Sequence, residues 1–221
     1  MEETLAEEAA NCSDEVHDVM AEGLRNIFKQ TRRCTTITHN LLGFARQSSG
    51  ALVETTVTDV LEQALILLLP EMRRLGLRVE RHYTRHLPRP VTDPMLLEQI
   101  FVNLLKNAAD AIEEAAPAQP RIRLYVSPVE DPSDEGMAVA VTVQDNGVGI
   151  PEANLGQIFD LFYTSKPAGK GTGLGLSIVH NILKKLGGEI RVESEPGVGT
   201  SFTLILPLHS DLGERDEGPI H

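Results

Sequence analysis

The spacing of apolar residues predicts one long helix near the N-terminus. From Leu24 to Ser48, apolar side chains recur at helical spacing, with basic residues between them. Ser48-Ser49-Gly50 ends this pattern and marks a boundary. Because one apolar stripe on a lone helix must be covered, the helix packs either on the rest of the chain or against another copy.

Beyond this boundary, short strand patterns alternate with longer helical patterns. A helix is predicted from a cap at Thr58 or Asp59 to about residue 75, and another from a cap at Asp93, with Pro94 at its first position, to about 116. A third is predicted over 174–186. The predicted strands are 52–57, 77–83, 122–129, 137–144, 189–195 and 201–206, and residues 146–172 are expected to be rich in loops. Because strands come in adjacent pairs between helices, we expect an α+β fold, a two-layer α/β sandwich whose mixed sheet carries helices on one face.

The charge is concentrated at the two ends of the sequence. The 221 residues include 20 Lys and Arg against 32 Asp and Glu, a net charge of −12. Residues 1–22 contain eight acidic residues and no basic one, whereas residues 23–208 are close to neutral. This balance argues against non-specific nucleic-acid binding, which needs a basic surface. No stretch of about 20 apolar residues is present, so we expect no membrane span in this sequence.

Asn103 and Asn107 form the first candidate site. They are four residues apart on a predicted helix and therefore share a face. Amide oxygens are hard, neutral ligands that suit a Mg²⁺ ion also bound by water and phosphate. The alternative is that both side chains only form local hydrogen bonds.

The second candidate site, Asp145-Asn146-Gly147-Val148-Gly149-Ile150, directly follows a predicted strand. An ionised aspartate accepts hydrogen bonds without donating any, so it suits an exocyclic amine such as N6 of adenine. Gly147 and Gly149 allow a tight turn that can approach a flat ligand. The alternative is an ordinary Asp-Asn-Gly turn.

The third candidate site is the glycine-rich segment 169–176, which opens a predicted helix. Glycines before a helix N-terminus leave N–H groups available at its positive end, where phosphate binds well. The segment fits neither a Walker A loop nor a Rossmann fingerprint, and protein-kinase signatures are missing.

In order and spacing, these segments resemble the ATP-binding domain of sensor histidine kinases, in the superfamily that includes gyrase, a heat-shock chaperone and mismatch-repair ATPases. Glu98 to Ile112 resembles the N box of this family, Asp145 to Ile150 its G1 box and Gly171 to Leu176 its G2 box. Ile158 to Lys166 resembles the F box and ATP lid, and Gly197 to Phe202 the closing strand. The resemblance runs from about 52 to 207 and implies a Bergerat-type ATP fold, with an ATP-binding domain over 50–208.

The resemblance implies a role for each matching residue. Asn107 is the expected Mg²⁺ ligand, with Asn103 beside it near the phosphates, and Asp145 is expected to bind the adenine amine. Lys166 would reach the terminal phosphate as a point charge, the alternative being a solvated loop lysine. The catalytic set is then Asn103, Asn107 and Lys166. The implied ATP-binding residues are Asn107, Asp110, Asp145, Gly147, Gly149, Thr164, Lys166, Gly171, Thr172, Gly173, Leu174, Gly175, Leu176 and Thr200.

Residues 33–46 resemble the second helix of the dimerising hairpin in this family. The resemblance implies a partial hairpin over 1–49, a homodimer through this N-terminal helix and a polar tail over 209–221. The His-Glu-x-x-Asn-Pro-like box of the family is not found, because the residues around His17 and His39 depart from it. We therefore expect the acceptor histidine and a sensor domain upstream of Met1, so that this chain alone lacks its acceptor.

The implied function is that of a protein-histidine kinase that uses ATP and Mg²⁺. It would transfer the γ-phosphoryl group to a histidine on a dimerisation helix, and a response regulator would receive it next. A cytoplasmic location without a nucleic-acid partner is expected, and membrane attachment of the full-length protein stays open. One alternative is an ATP hydrolase of the superfamily, although Asn103 stands where those enzymes carry a glutamate base. The other is a non-catalytic module for nucleotide sensing or dimerisation.

Overall fold

The computed structural model describes residues 19–20, 23–24, 51–132, 136–166 and 171–208. Apart from Leu24, the predicted helix over 24–48 lies outside the described residues, as do His17, His39 and the predicted tail over 209–221. Within the described ranges, no helix is long and apolar enough to span a membrane.

A five-stranded sheet forms one layer of the fold. The strand bounds are β1 Val53–Glu54, β2 Arg78–Tyr83, β3 Val91–Thr92, β4 Arg121–Glu130, β5 Met137–Asp145, β6 Glu189–Glu195 and β7 Gly199–Pro207. The strand order of the sheet is β2-β4-β5-β7-β6. The strands β2 and β4 are parallel, whereas β4–β5, β5–β7 and β6–β7 are antiparallel. Two short strands, β1 and β3, pair with each other in a separate antiparallel ribbon.

The helices form the second layer, on one face of the sheet. Their bounds are α1 Val57–Arg74, α2 Pro94–Ala115, α3 Glu152–Leu155 and α4 Gly175–Lys185. α2 packs between α1 and α4 and also contacts β5 and β7. Along β4, Ile122, Leu124 and Val126 are fully buried while Tyr125 between them is exposed, so helices cover only one face of the strand. The mixed sheet with helices on one face confirms the predicted α+β fold.

The sequence explains where α2 begins, and this helix carries several of the candidate site residues. The Asp93 side chain accepts hydrogen bonds from the backbone N–H groups of Met95, at 2.9 Å, and Leu96, at 3.4 Å. Pro94 occupies the first turn, where its missing N–H costs nothing. The helix ends at Ala115, and its C-cap Ala116 has a left-handed φ of 44°. The predicted cap and length of α2 are thus confirmed.

Several predicted boundaries are wrong for local reasons. The strand predicted over 52–57 is only Val53–Glu54, because α1 begins at Val57 after an N-cap at Thr56, not at Thr58 or Asp59. Thr56 is the same residue type as Thr58 and its side chain makes no capping hydrogen bond, so residue type did not decide between the two positions. The two-residue β3 was not predicted, and neither was the four-residue α3, which lies inside the predicted loop-rich segment 146–172. Both are too short to show a periodic pattern of apolar residues.

Candidate functional site

A cavity of about 510 Å³ lies between α2, the end of β5, the segment that follows β5 and the start of α4. Most residues predicted to bind nucleotide line it. These are Asn103, Asn107, Asp110, Asp145, Gly149, Thr164, Lys166, Gly171, Thr172, Gly173, Gly175, Leu176 and Thr200. Gly147 and Leu174 are buried and do not line the wall. Sequence segments far apart along the chain therefore meet at one cavity.

Asp145 lies at the end of β5 and is only 7% exposed. Its Oδ1 accepts hydrogen bonds from the backbone N–H groups of Gly147, at 2.8 Å, and Thr200, at 3.3 Å. Oδ2 accepts no hydrogen bond from any residue that the structure describes. Burial raises the pKa of Asp145 to about 6, because its effect exceeds that of the hydrogen bonds from the two N–H groups, which lower the pKa. The cavity therefore contains a desolvated carboxylate with one oxygen available to a ligand donor.

The turn after Asp145 is held between α2 and the β6–β7 hairpin. Val148 donates its N–H to the Ala111 carbonyl, at 3.2 Å, and the Gly147 Cα lies so close to α2 that a Cβ would stand 2.6 Å from the Ala111 Cβ. Gly149 has a φ of +72°, and a Cβ there would lie 2.2 Å from the Glu195 carbonyl oxygen. Side chains at these positions would overlap backbone, so glycine is required at both.

Ser194 does not line the cavity but supports two residues that do, Ile150 and Thr200, and the sequence did not reveal it. Its Oγ accepts the Ile150 N–H at 2.7 Å and donates towards the Gly199 carbonyl at 3.1 Å. It also lies 2.9 Å from the Thr200 Oγ1. Ser194 pairs with Thr200 in the β6–β7 register, so a hairpin folded around residues 196–199 was the signal that could have found it.

Asn103 and Asn107 lie at the opposite end of the cavity, against the first residue of α4. The Asn103 Nδ2 donates to the Gln99 carbonyl at 2.9 Å, which leaves its Oδ1 for other contacts. A Cβ at Gly175 would stand 3.3 Å from the Asn103 Oδ1 and 3.9 Å from the Asn107 Oδ1. The positive end of an 11-residue helix and two amide oxygens therefore lie side by side. This combination can bind an anion together with a hard cation.

Three charged side chains on the wall, Lys106, Asp110 and Lys166, form a cluster with Glu71 of α1, which we call the lysine–acid cluster. The Lys106 Nζ donates to the Glu71 Oε1 at 2.5 Å and to the Asp110 Oδ1 at 2.8 Å, and the Lys166 Nζ donates to the Asp110 Oδ2 at 2.6 Å. Burial acts to raise the pKa of Asp110, but the hydrogen bonds from both lysines outweigh it and lower the pKa below the ordinary aspartate value. The sequence did not indicate Glu71, because Glu71 is 35 residues from Lys106 along the chain and α1 carries no motif.

Glu113, one turn after Asp110 along α2, brings a third carboxylate within 4.8 Å of those of Glu71 and Asp110. Glu113 pairs with Arg74 at 2.7 Å, and the other two pair with lysines. Protein cations therefore already neutralise this acidic group.

The segment before α4 is tied to the residues that open this helix. Phe162 has a φ of 68°, and its N–H donates to the Gly173 carbonyl at 2.9 Å. The Phe162 side chain is 66% exposed, whereas Lys166 is turned back onto the wall. Thr164 accepts the Lys166 N–H at 3.2 Å. These contacts place Lys166 at the cavity although it belongs to an exposed loop.

The sequence is similar to those of known proteins. Residues 92–210 match the family described as histidine kinase-, DNA gyrase B- and HSP90-like ATPase. The sensor kinase CckA of Brucella abortus (strain 2308) is 34% identical over 204 residues, which cover 89% of this chain and 21% of CckA. The signal transduction histidine-protein kinase AtoS of Escherichia coli (strain K12) is 31% identical over 201 residues, covering 89% of this chain and 30% of AtoS. The chain thus spans less than a third of either relative.

The fold is also similar to that of a solved structure, full-length ShkA in complex with AMPPNP. The TM-score is 0.66 at 27% sequence identity, over 79% of this chain and 36% of ShkA. The family match covers more than half of the sequence and includes α2, Asp145 and the start of α4. This chain therefore belongs to the histidine kinase-, DNA gyrase B- and HSP90-like ATPase family, and the relatives described above are sensor kinases.

Proposed function

We propose that this chain is the catalytic part of a sensor histidine kinase, which binds Mg²⁺–ATP in the cavity and transfers the γ-phosphoryl group to a histidine on a dimerisation helix. In this reaction the bond from the γ-phosphorus to the bridging oxygen breaks and a phosphorus–nitrogen bond to imidazole forms. The phosphoryl group then passes to a response regulator.

The Asp145 carboxylate is the observation that carries this proposal. One of its oxygens is fixed by two backbone N–H groups, and the other is available to a donor at the cavity wall. This arrangement suits an amine on a flat base, such as adenine, because a buried acceptor rejects ligands that cannot donate to it. The Asn pair, Lys166 and the α4 N-terminus lie at the other end, where the phosphates of such a ligand would extend.

A magnesium ion fits the residues at the phosphate end. The Asn107 Oδ1 is a hard neutral oxygen beside the helix start, and the nearest carboxylate in the cluster, Asp110, is already paired with two lysines. A site with few protein ligands suits Mg²⁺, which keeps water and phosphate oxygens around it. We therefore propose Asn107 as the metal ligand. When bound, the ion would neutralise phosphate charge during transfer.

Phosphoryl transfer is favoured over hydrolysis at this site. An amide cannot act as a general base, and the amide nitrogen of Asn103 already donates to the Gln99 carbonyl. The residues of this chain therefore bind, orient and stabilise charge without activating a water molecule.

The remaining proposals concern the whole protein. We propose a dimerising helical segment over 1–49, the ATP-binding domain over 50–208 and a polar tail over 209–221. The match with CckA supports the helical segment over 1–49, because it covers 89% of the chain. Residues 51–221 make up a smaller share of the chain than that, so the similarity extends into the first 50 residues. We also propose that the whole protein forms a homodimer and has an additional sensor domain. The part described by this sequence would be cytoplasmic and would have no nucleic-acid partner.

Calorimetry of the 221-residue chain with ATP and Mg²⁺ tests the binding step. We expect saturable binding by the natural chain and none by Asp145→Ala at the same concentrations. Equal binding by both would contradict the proposed role of Asp145, and no binding by either would favour the non-catalytic module.

Incubation with γ-labelled ATP tests the transfer step. We expect the label to reach a separate dimerisation fragment of a related sensor kinase that carries its acceptor histidine, while this chain stays unlabelled. A labelled histidine on this chain would contradict the expectation that it lacks its acceptor. Release of labelled inorganic phosphate alone would favour a hydrolase.

A further inference from the structure

The two oxygens of the Asp110 carboxylate each have a lysine partner. Lys106 donates to Oδ1 at 2.8 Å, and Lys166 donates to Oδ2 at 2.6 Å. Asp110, Lys106 and Lys166 all line the cavity. Asp110 is therefore the point at which the loop that carries Lys166 is fastened to α2.

The two lysines are not equivalent. Lys106 lies one turn before Asp110 on the same helix, and Glu71 of α1 also accepts a hydrogen bond from it. Lys166 comes from a loop in which Thr164 and Ser165 are exposed, and Asp110 is the only acceptor of its ammonium group among the described residues. An ammonium group has three N–H donors, so two remain for a ligand while Asp110 keeps one.

Lys106 also determines what the carboxylate does to a bound anion. An unpaired aspartate on the wall would repel phosphate, because like charges in a partly desolvated site raise the energy. Here Lys106, which Glu71 shares, offsets part of the Asp110 charge, so that Lys166 contributes its positive charge to the cavity against a reduced opposing charge. A free lysine side chain would lose rotamer entropy when a ligand fixed it. A lysine already fixed by Asp110 avoids most of this loss.

We propose that Asp110 is a positioning residue: it holds the Lys166 ammonium on the cavity wall, where it binds the terminal phosphate of ATP. Asp110 acts through Lys166 and does not itself contact the nucleotide. This inference rests on the proposed function, since it takes the ligand to be ATP.

The test compares ATP with ADP, because only ATP has the terminal phosphate. Calorimetry with Mg²⁺ on the whole chain gives the ratio of the two dissociation constants, which cancels any general effect on the cavity. We expect Lys166→Met and Asp110→Asn each to reduce the preference for ATP about fivefold. The double variant should show no further loss, and Asp110→Glu should restore part of the preference.

Glu113→Gln is the matched control, because it removes one negative charge from α2 without touching Lys166. We expect it to leave the preference for ATP unchanged. The sign of the Asp110→Asn effect is decisive: if the carboxylate only repelled phosphate, or competed with it for Lys166, its loss would increase the preference for ATP. An increased or unchanged preference would overturn the inference.

Two further outcomes would also overturn it. In one, Lys166→Met does not alter the preference. In the other, Asp110→Asn binds neither nucleotide while Lys166→Met still binds ADP, which would mean that Asp110 acts other than through Lys166. Failure of the natural chain to bind ATP would instead contradict the proposed function, so the two failures are distinguishable.

Discussion

Two aspartates line the same cavity, and their surroundings shift their pKa values in opposite directions. Burial raises the pKa of Asp145 to about 6, because only backbone N–H groups oppose it. The pKa of Asp110 is lowered, because two lysines outweigh its burial. One carboxylate keeps an oxygen available for a ligand, whereas both oxygens of the other are used by the protein.

The difference shows that backbone atoms form one end of the cavity and side-chain atoms form the other. The Asp145 end consists largely of backbone: the Gly147 and Thr200 N–H groups, and a turn wedged against the Ala111 and Glu195 backbone. The Asp110 end consists of long side chains from α1, α2 and the Lys166 loop. We therefore expect the first end to be rigid and sensitive to shape, and the second to be adaptable and sensitive to charge and salt.

The largest expected effect is that of Gly149→Ala at the backbone-built end. The added Cβ would meet the Glu195 carbonyl oxygen at 2.2 Å, and the alanine would have to adopt the left-handed φ of +72°. Strain and overpacking together should lower the free energy of unfolding by about 3–5 kcal/mol. Urea unfolding of both chains measures this loss.

Gly76→Ala is the control for that substitution. Gly76 also has a positive φ, +61°, but a Cβ there would meet nothing within 4 Å. Only the conformational cost of about 1 kcal/mol should remain. Equal losses for the two variants would show that the turn after Asp145 is not tightly held.

Replacement of Asp145 by Asn is expected to have the second largest effect, on ATP affinity. The side chain keeps its shape, but with its oxygen held by Gly147 and Thr200 it turns an NH₂ group towards the ligand amine. Two donors that face each other, and the loss of a charge-assisted bond, should cost about 2–3 kcal/mol of binding free energy. Calorimetry with ATP measures it, and GTP, which lacks an amine at that ring position, should lose little. An equal loss for both nucleotides would contradict the assigned contact.

The same variant should have the opposite effect on the stability of the domain. Since the folded pKa of Asp145 is raised from 3.8 to about 6, its contribution to stability is fully present below 3.8 and is lost as the pH rises to about 6. Asp145→Asn does not titrate, so the variant should gain stability relative to the natural chain over this window and keep about 3 kcal/mol above it. Urea unfolding at pH 4, 5, 6 and 8 measures the difference, and a difference independent of pH would refute the raised pKa.

The smallest expected effect concerns Lys106, at the side-chain-built end. Lys106→Met removes the cation shared by Glu71 and Asp110, but the Lys106 side chain is 45% exposed, so solvent screens the loss. We expect about 0.5–1 kcal/mol of destabilisation at low salt and less in 1 M NaCl. Lys184→Met, an exposed position on α4, is the control for charge alone. A loss that does not depend on salt would mean that packing, and not charge, dominates at this end.

Much of the fold follows from local signals. The Asp93-Pro94 start of α2, the Gly187-Gly188 end of α4 and the apolar alternation along β4 and β5 predict the elements that form the two layers. The resemblance to sensor histidine kinases implied the candidate nucleotide residues, and nearly all of them line one cavity. Glu71 and Ser194 could not be found in this way, because their importance depends on which distant residue lies beside them.

The sequence by itself determined the elements, the glycine positions and the residue types available for binding, because helix caps, periodicity and steric freedom act over a few residues. Only the tertiary structure decided how two similar aspartates differ. Asp145 is buried among backbone N–H groups and its pKa rises, while Asp110 lies between lysines from α2 and a loop 56 residues away and its pKa falls. Burial and the pairing with Lys166 are properties of the packed chain, so the local sequence, which places only Lys106 one turn before Asp110, could not have given the sign of either pKa shift.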